Sequence, residues 1–240
     1  RDKLVTGVQT CALPIYRSTI AEEVLKTRST VCAGYSRLFE SLATAAGLEA
    51  VTIEGYAKGF GYAPGDHFDR ANHDWNAVRI DGEWRLLDAT WSAGSVDYNY
   101  RFAREFDDFF FFTPPEQFIY SHFPKEPEWQ LLKKDISLAD FEAMAFVRPL
   151  FFQSNLAAIS HPQSIIQADG ETMMTFKAPK DASLSATLGR DGRDYPASAF
   201  CQNDLGTVYV NFRPPGPGRY ELDLFVGGEL AVNYTIQAGE

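Results

Sequence analysis

Apolar positions change period along this chain, from helical spacing near its start to alternation further on. Tyr35, Leu38, Phe39, Leu42 and Ala46 recur at helical spacing and Gly47 closes the run, which predicts a helix starting at about Cys32 with Ser29 or Thr30 as its N-cap. Upstream, TIAEEVLK from Thr19 to Lys26 opens with a threonine cap and early acids, the pattern of a short helix. Val51, Ile53 and Ala57 then alternate with Thr52, Glu54 and Lys58, as a half-buried strand does. HDWNAVRI and EWRLLDAT alternate on either side of Asp81-Gly82, a strong signal for a two-residue hairpin turn. If Ile80 faces Glu83, counting back along both strands sets His73 opposite Thr90 and Trp75 opposite Asp88. His73 and Asp88 then share a face as diagonal neighbours, roughly 7 to 8 Å apart and within reach of each other's side chains.

Between these strands, FGYAPGDHFDRAN (60–72) is rich in turn formers and reads as a cleft-rim loop. Beyond Asp88 an aromatic stretch (Trp91, Tyr98, Tyr100, Phe102, Phe106 to Phe112) reads as core and cleft wall. A connector follows, with a short helix in SLADFEAM capped by Ser137 and ended by Pro149. From about Phe151, ETMMTFKA, SLSATLG, YPASAFC, TVYVNFR, RYELDLFV and ELAVNYTI are strand-like and separated by Gly-containing turns, predicting a small antiparallel sandwich. Tyr220, entering a strand after PGR, fits a tyrosine corner.

The chemistry-bearing residues cluster in the first half. A cysteine in the first turn of a helix faces unpaired N-H groups and the positive end of the helix dipole, both of which favour the thiolate. Cys32 is therefore a nucleophile candidate, His73 a base and Asp88 the acid that orients it. Trp75, Asn76, Thr90 and Trp91 are supporting or cleft residues, and the backbone N-H of Cys32 is the expected oxyanion donor. Taken singly, Cys32 reads more readily as a small buried hydrophobe, His73 as an ordinary strand residue and Asp88 as a strand-end carboxylate. The combination of a helix-start cysteine with a hairpin carrying His and Asp on one face favours chemistry.

TRSTVCAGYSRLFESLATAAGLEA and NHDWNAVRIDGEWRLLDATWSAG together resemble the transglutaminase-like superfamily, and within it the kyphoscoliosis peptidase type. The shared features are the helix-start Cys, the His-x-Trp-Asn strand, the D-G-x-W turn and an Asp followed by x-Thr-Trp. FFFFTPPEQFIYSHFPKEPEWQLL and the β-rich tail extend the likeness over nearly everything after about residue 20. The resemblance implies an α+β fold: a papain-like, transglutaminase-like core with the Cys-bearing helix packed on an antiparallel sheet, then a small all-β immunoglobulin-like sandwich. The expected division is 16–130 for the core, 131–150 for the connector and 151–240 for the sandwich. The implied function is Cys-His-Asp acyl transfer on a protein or peptide substrate, with peptidase favoured. A transglutaminase, or a binding module that keeps the fold without catalysis, are the alternatives.

Composition narrows the partners. A net charge of −10 with no clustered Lys and Arg argues against nucleic acid and anionic membrane surfaces. No apolar run approaches the ~20 residues of a membrane-spanning helix, so no membrane insertion is expected. The three cysteines make no disulfide framework, and the compartment stays open. His67, Asp69, His73 and Asp74 lack a metal-binding motif and no phosphate loop is present, so neither metal nor cofactor is expected. The first fifteen residues, RDKLVTGVQTCALPI, resemble translated sequencing adapter and are expected to lie outside the fold, Cys11 with them.

Overall fold

The computed structural model describes residues 18–96, 101–158, 160–195 and 198–239. The adapter-like stretch, Tyr98 and Tyr100 lie outside them. The chain divides into two compact units, one made of residues up to Tyr62 plus Phe68–Ser137, the other of Ala63–His67 plus residues from Leu138 onward.

The first unit opens with α1 (Ala21–Thr27) and α2 (Cys32–Ala45). Neither has the expected side-chain cap: the N-cap positions are Ile20 and Val31. The Thr30 hydroxyl instead donates to the carbonyl of Ser18 at 2.8 Å, and Thr19 accepts from Arg37. Gly47, at φ 83°, lets the chain leave α2 in the left-handed region, where the Leu48 N-H returns to Ala43 O. Cys32, Ser36 and Ala43 share the buried face of the helix, where Asn76 of the sheet reaches Ser36 O, while Gly34 is buried against Thr30 and Leu42 of the apolar stripe is 54% exposed. Small side chains let a helix approach a sheet closely, and here that outweighs burial of the larger ones.

The sheet runs in the order β6-β3-β2-β1-β7, built from β1 (Ala50–Ala57), β2 (His73–Ile80), β3 (Glu83–Leu87), β6 (Phe111–Thr113) and β7 (His122–Pro124), with a small ladder β4 (Ser95–Val96) and β5 (Phe102–Ala103) inserted after β3. A short helix, α3 (Pro115–Phe118), precedes β7. β1 lies antiparallel beside β2, with Ile53 facing Trp75 and Gly55 facing His73. The hairpin register is the one counted from the sequence: Ile80 pairs with Glu83 and Asn76 with Leu87, around Asp81 and Gly82 at φ 52° and 84°.

Ile53, Ala57, Trp75, Ala77, Leu86, Trp91, Phe110 and Phe118 form one core on the sheet face away from Asn76. Several expectations change here. Of the aromatic stretch, Trp91 and Phe110 are buried, but Phe102, Phe106, Phe111 and Phe112 are exposed. Lys58, expected on the polar side, is buried just beyond the end of β1, with its ammonium 5.4 Å from the Tyr62 ring.

The second unit begins with α4 (Leu138–Ala143), β8 (Phe146–Val147) and α5 (Pro149–Gln153). Pro149 opens α5 rather than closing a helix, since the first helical position needs no N-H donor. There follow β9 (Ala157–Ala158), β10 (Ile165–Ala168), β11 (Thr172–Lys177), β12 (Leu184–Arg190), β13 (Arg193–Asp194), β14 (Ala199–Asp204), β15 (Thr207–Phe212), β16 (Gly218–Val226) and β17 (Glu229–Ala238). One sheet has the order β10-β17-β16-β12-β13, with β8 also on β17, and the other β14-β15-β11-β9. Tyr220 is buried and its hydroxyl donates to Gly216 O at 2.9 Å, the contact a tyrosine corner requires. Cys201 is a free thiol. The fold is α+β, a sheet-and-helix core followed by an all-β domain.

Candidate functional site

Asp88 is where the β2–β3 ladder stops. Its N-H donates to Phe110 O at 2.9 Å, and the chain turns into a single 3-10 turn at Trp91–Ala93. The pairings extrapolated to His73 with Thr90 and Trp75 with Asp88 therefore do not form, although the face assignment holds. His73 Nε2 lies 2.6 Å from Asp88 Oδ2. The other oxygen, Oδ1, accepts the N-H groups of Thr90 at 2.7 Å and Trp91 at 3.0 Å. Thr90 and Trp91 thus reach the site through their backbones, with the Trp91 ring against His73 at 5.4 Å.

A fourth donor comes from a residue not singled out in the sequence. His122 of β7 places Nε2 3.1 Å from the same Oδ2. Asp88 is fully buried, and burial alone would raise its carboxyl. The charge of His73 and the hydrogen bonds from His122 and His73 outweigh that and hold it well below the ordinary carboxylate range. Burial pushes His122 down to about 4, with the Asp88 hydrogen bond and charge only partly offsetting it. The signal that could have found it is a lone histidine inside the apolar run FIYSHF, since a buried polar group there needs a partner.

Cys32 is the first residue of α2 and is completely buried. With no side-chain cap, the amides of the helix's first turn keep their partial positive charge at the thiol's end. Asn76 fixes the helix to the sheet: its Nδ2 donates to Ser36 O of α2 at 3.0 Å and to Val51 O of β1 at 3.1 Å. Trp75 lies under the histidines, 6.2 Å from the His73 ring and 5.1 Å from that of His122. The Asn72 side chain bonds both backbone groups of Ala57, so the loop before β2 is tied down where it meets His73.

An open pocket of about 440 Å³ adjoins His73, lined by Arg37, Thr52, Glu54, Ala71, Asn72 and Asp74. Burial lifts the Asp74 carboxyl above its usual range, with the His73 charge opposing. His73, Asp88 and His122 bring their nitrogen and oxygen atoms within 4.8 Å of one another. The four hydrogen bonds to Asp88 account for its charge, so we assign no cation to the group. Asp69 and His67 are not part of it.

Residues 10–89 match the transglutaminase-like superfamily and residues 138–238 the KY-like, immunoglobulin-like domain. The chain is 33% identical to mouse kyphoscoliosis peptidase and 38% identical to the human protein, over 218 residues, 89% of this chain and 32% of each relative. It is 39% identical to the Lim and transglutaminase domain protein ltd-1 of Caenorhabditis elegans over 162 residues, 60% of this chain and 22% of that one. It therefore spans about a third of the length of the two kyphoscoliosis peptidases. No helix among the described residues is long and apolar enough to cross a membrane. The chain carries a transglutaminase-like superfamily domain followed by a KY-like, immunoglobulin-like domain, and it is homologous to kyphoscoliosis peptidase.

Proposed function

We propose that the first unit is a cysteine-dependent acyl-transfer enzyme in which Cys32 attacks an amide carbonyl of a protein or peptide, His73 moves the proton and Asp88 orients the imidazole. The observation that carries this reading is the 2.6 Å bond from Asp88 to Nε2 of His73. It commits the imidazole to a tautomer with the proton on Nε2, so Nδ1 is the nitrogen that takes the thiol proton and returns it to the leaving amine. Attack forms the S-C bond of a tetrahedral intermediate, whose oxyanion is met by the Cys32 N-H at the helix start. Collapse expels the amine and leaves a thioester. Water then releases an acid and restores the thiol, which makes the reaction peptide hydrolysis, the activity in the name of the kyphoscoliosis peptidases. An amine in place of water would make it a transglutamination, and the superfamily match keeps that reading open.

The test uses the second cysteine as an internal control. Burial pushes the Cys201 thiol up to about 11, so it reacts sluggishly near neutrality. At pH 6.5 Cys32 is expected to label with iodoacetamide at least about tenfold faster than Cys201, read by mass spectrometry of the two peptides. Equal rates, or labelling of Cys32 that His73→Ala leaves unchanged, would remove the nucleophile assignment and leave a binding module. Release of new N-termini from a protein substrate, against incorporation of a fluorescent amine, separates hydrolysis from transamidation.

A further inference from the structure

The acyl-transfer reading leaves His122 without a task, yet it is as fully built into the cluster as His73. Its side chain is completely buried, and its ring stacks on Phe118 at 4.1 Å and against Trp91 at 4.4 Å. Nδ1 lies 2.8 Å from Ser121 Oγ and Nε2 3.1 Å from Asp88 Oδ2. A carboxylate offers only acceptors, so Nε2 carries the proton and donates; in the neutral ring Nδ1 then accepts from the Ser121 hydroxyl, which also lies 3.3 Å from Phe118 O. Both ends of the ring are thereby held by hydrogen bonds.

This geometry bears on His73 through a shared atom. The Thr90 and Trp91 amides pin Oδ1, while Oδ2 is divided between two imidazoles. An oxygen that accepts two hydrogen bonds gives less to each than one serving a single donor. We infer that His122 is a positioning residue: it aims Oδ2 of Asp88 at His73 and tempers the grip of that carboxylate on the His73 imidazolium. Its value to catalysis rests on the acyl-transfer reading, because a base held too tightly in its charged form returns its proton poorly. Among the described residues, the other titratable or charged groups near the cluster are Asp74 of β2, whose carboxyl feels both His73 and Asp88, Glu54 of β1 and Arg37 of α2, which act on Asp74, Lys58, whose amide bonds Ser121 O, and Cys32 of α2, which the acyl-transfer reading sets against Nδ1 of His73. His122 is neutral above about pH 4, so replacing it by a neutral residue leaves every one of those charges in place.

The experiment compares three variants of the full chain by NMR titration of the His73 ring, with thermal unfolding to confirm that each folds. His122→Phe keeps the flat ring and loses both nitrogens. His122→Asn keeps a group near the position of Nδ1 but falls short of Asp88, and His122→Gln places a donor near Nε2. The His73 titration midpoint is expected to rise by about one pH unit in His122→Phe and His122→Asn, a tenfold gain in proton affinity, and to stay near its original value in His122→Gln. An unmoved midpoint in His122→Asn, or an equal rise in His122→Gln, would overturn the inference. If His122→Phe fails to fold, the Asn and Gln pair decides alone. The Cys32 labelling comparison is independent: its failure would sink acyl transfer while the His73 titration still decides what His122 does.

Discussion

At Asp88 an ionised carboxylate survives full burial because four donors converge on its two oxygens, two amides on one and two imidazoles on the other. That arrangement makes the first unit sensitive to pH, and the sign follows from His122. Its ordinary value of 6.5 falls to about 4 in the folded state, so between these values the unfolded chain binds the proton that the folded chain refuses. Stability is therefore expected to fall as pH drops from about 6.5 to about 4, by on the order of 3 kcal/mol for a group this buried, and to be indifferent to this residue above that window. Asp88, held low, adds a further loss only under more acid conditions, when it takes up its own proton. Unfolding midpoints measured across the range should show the first slope, and His122→Phe should flatten it. The helix start at Cys32 and the face shared by His73 and Asp88 were legible in the sequence because each residue stands at or beside a defined point of a periodic element. His122 was not, because its partner is 34 residues away and β7 is too short to show a period.

The hairpin and α2 show what element-level patterns convey and what they omit. Asp-Gly between alternating runs set the register, and so the face shared by His73 and Asp88, because both turn residues take the left-handed conformation a tight hairpin demands. Where the ladder ends was not legible, since it depends on Phe110, at the end of a 3-10 turn just before β6, capturing the Asp88 amide. Helix caps were misread for a similar reason: Thr30 has the right chemistry, but its hydroxyl is spent on Ser18. Its side chain also explains why Cys-Ala-Gly-Tyr carries a glycine. A Cβ on Gly34 would overlap Thr30, although the glycine's own backbone needs no special freedom. Gly34→Ala should consequently lower stability by about 1 to 3 kcal/mol despite the better helix propensity of alanine. Chemical denaturation would show it, and a neutral or stabilising result would mean that the Thr30 turn yields easily.

For the whole molecule, the second unit starts at Leu138, where the immunoglobulin-like match also starts, and it takes in the short segment Ala63–His67. That segment is attached through the Pro64 carbonyl to Arg219, through Gly65 packing at Ile165 and through His67 to Glu142. Residues 138–240 expressed alone should fold as β, recognisable by circular dichroism, and should unfold at a lower temperature than the same strands in the full chain, having lost those contacts. Residues 18–137 should retain the rapid labelling of Cys32; loss of it would mean that the second unit completes the first. The acidic surface and alternating strands were readable from composition and period, whereas a five-residue contribution from a distant loop has no local signature. The sharing of Asp88 has a further consequence, in time. Three separate pieces of the first unit, β2, the turn after β3 and β7, meet at one carboxylate, so none can open without releasing a charge into an apolar interior. The Thr90 and Trp91 amides should accordingly exchange with deuterium at the same slow rate as the core of β2, although they lie in a turn, where exchange is ordinarily fast.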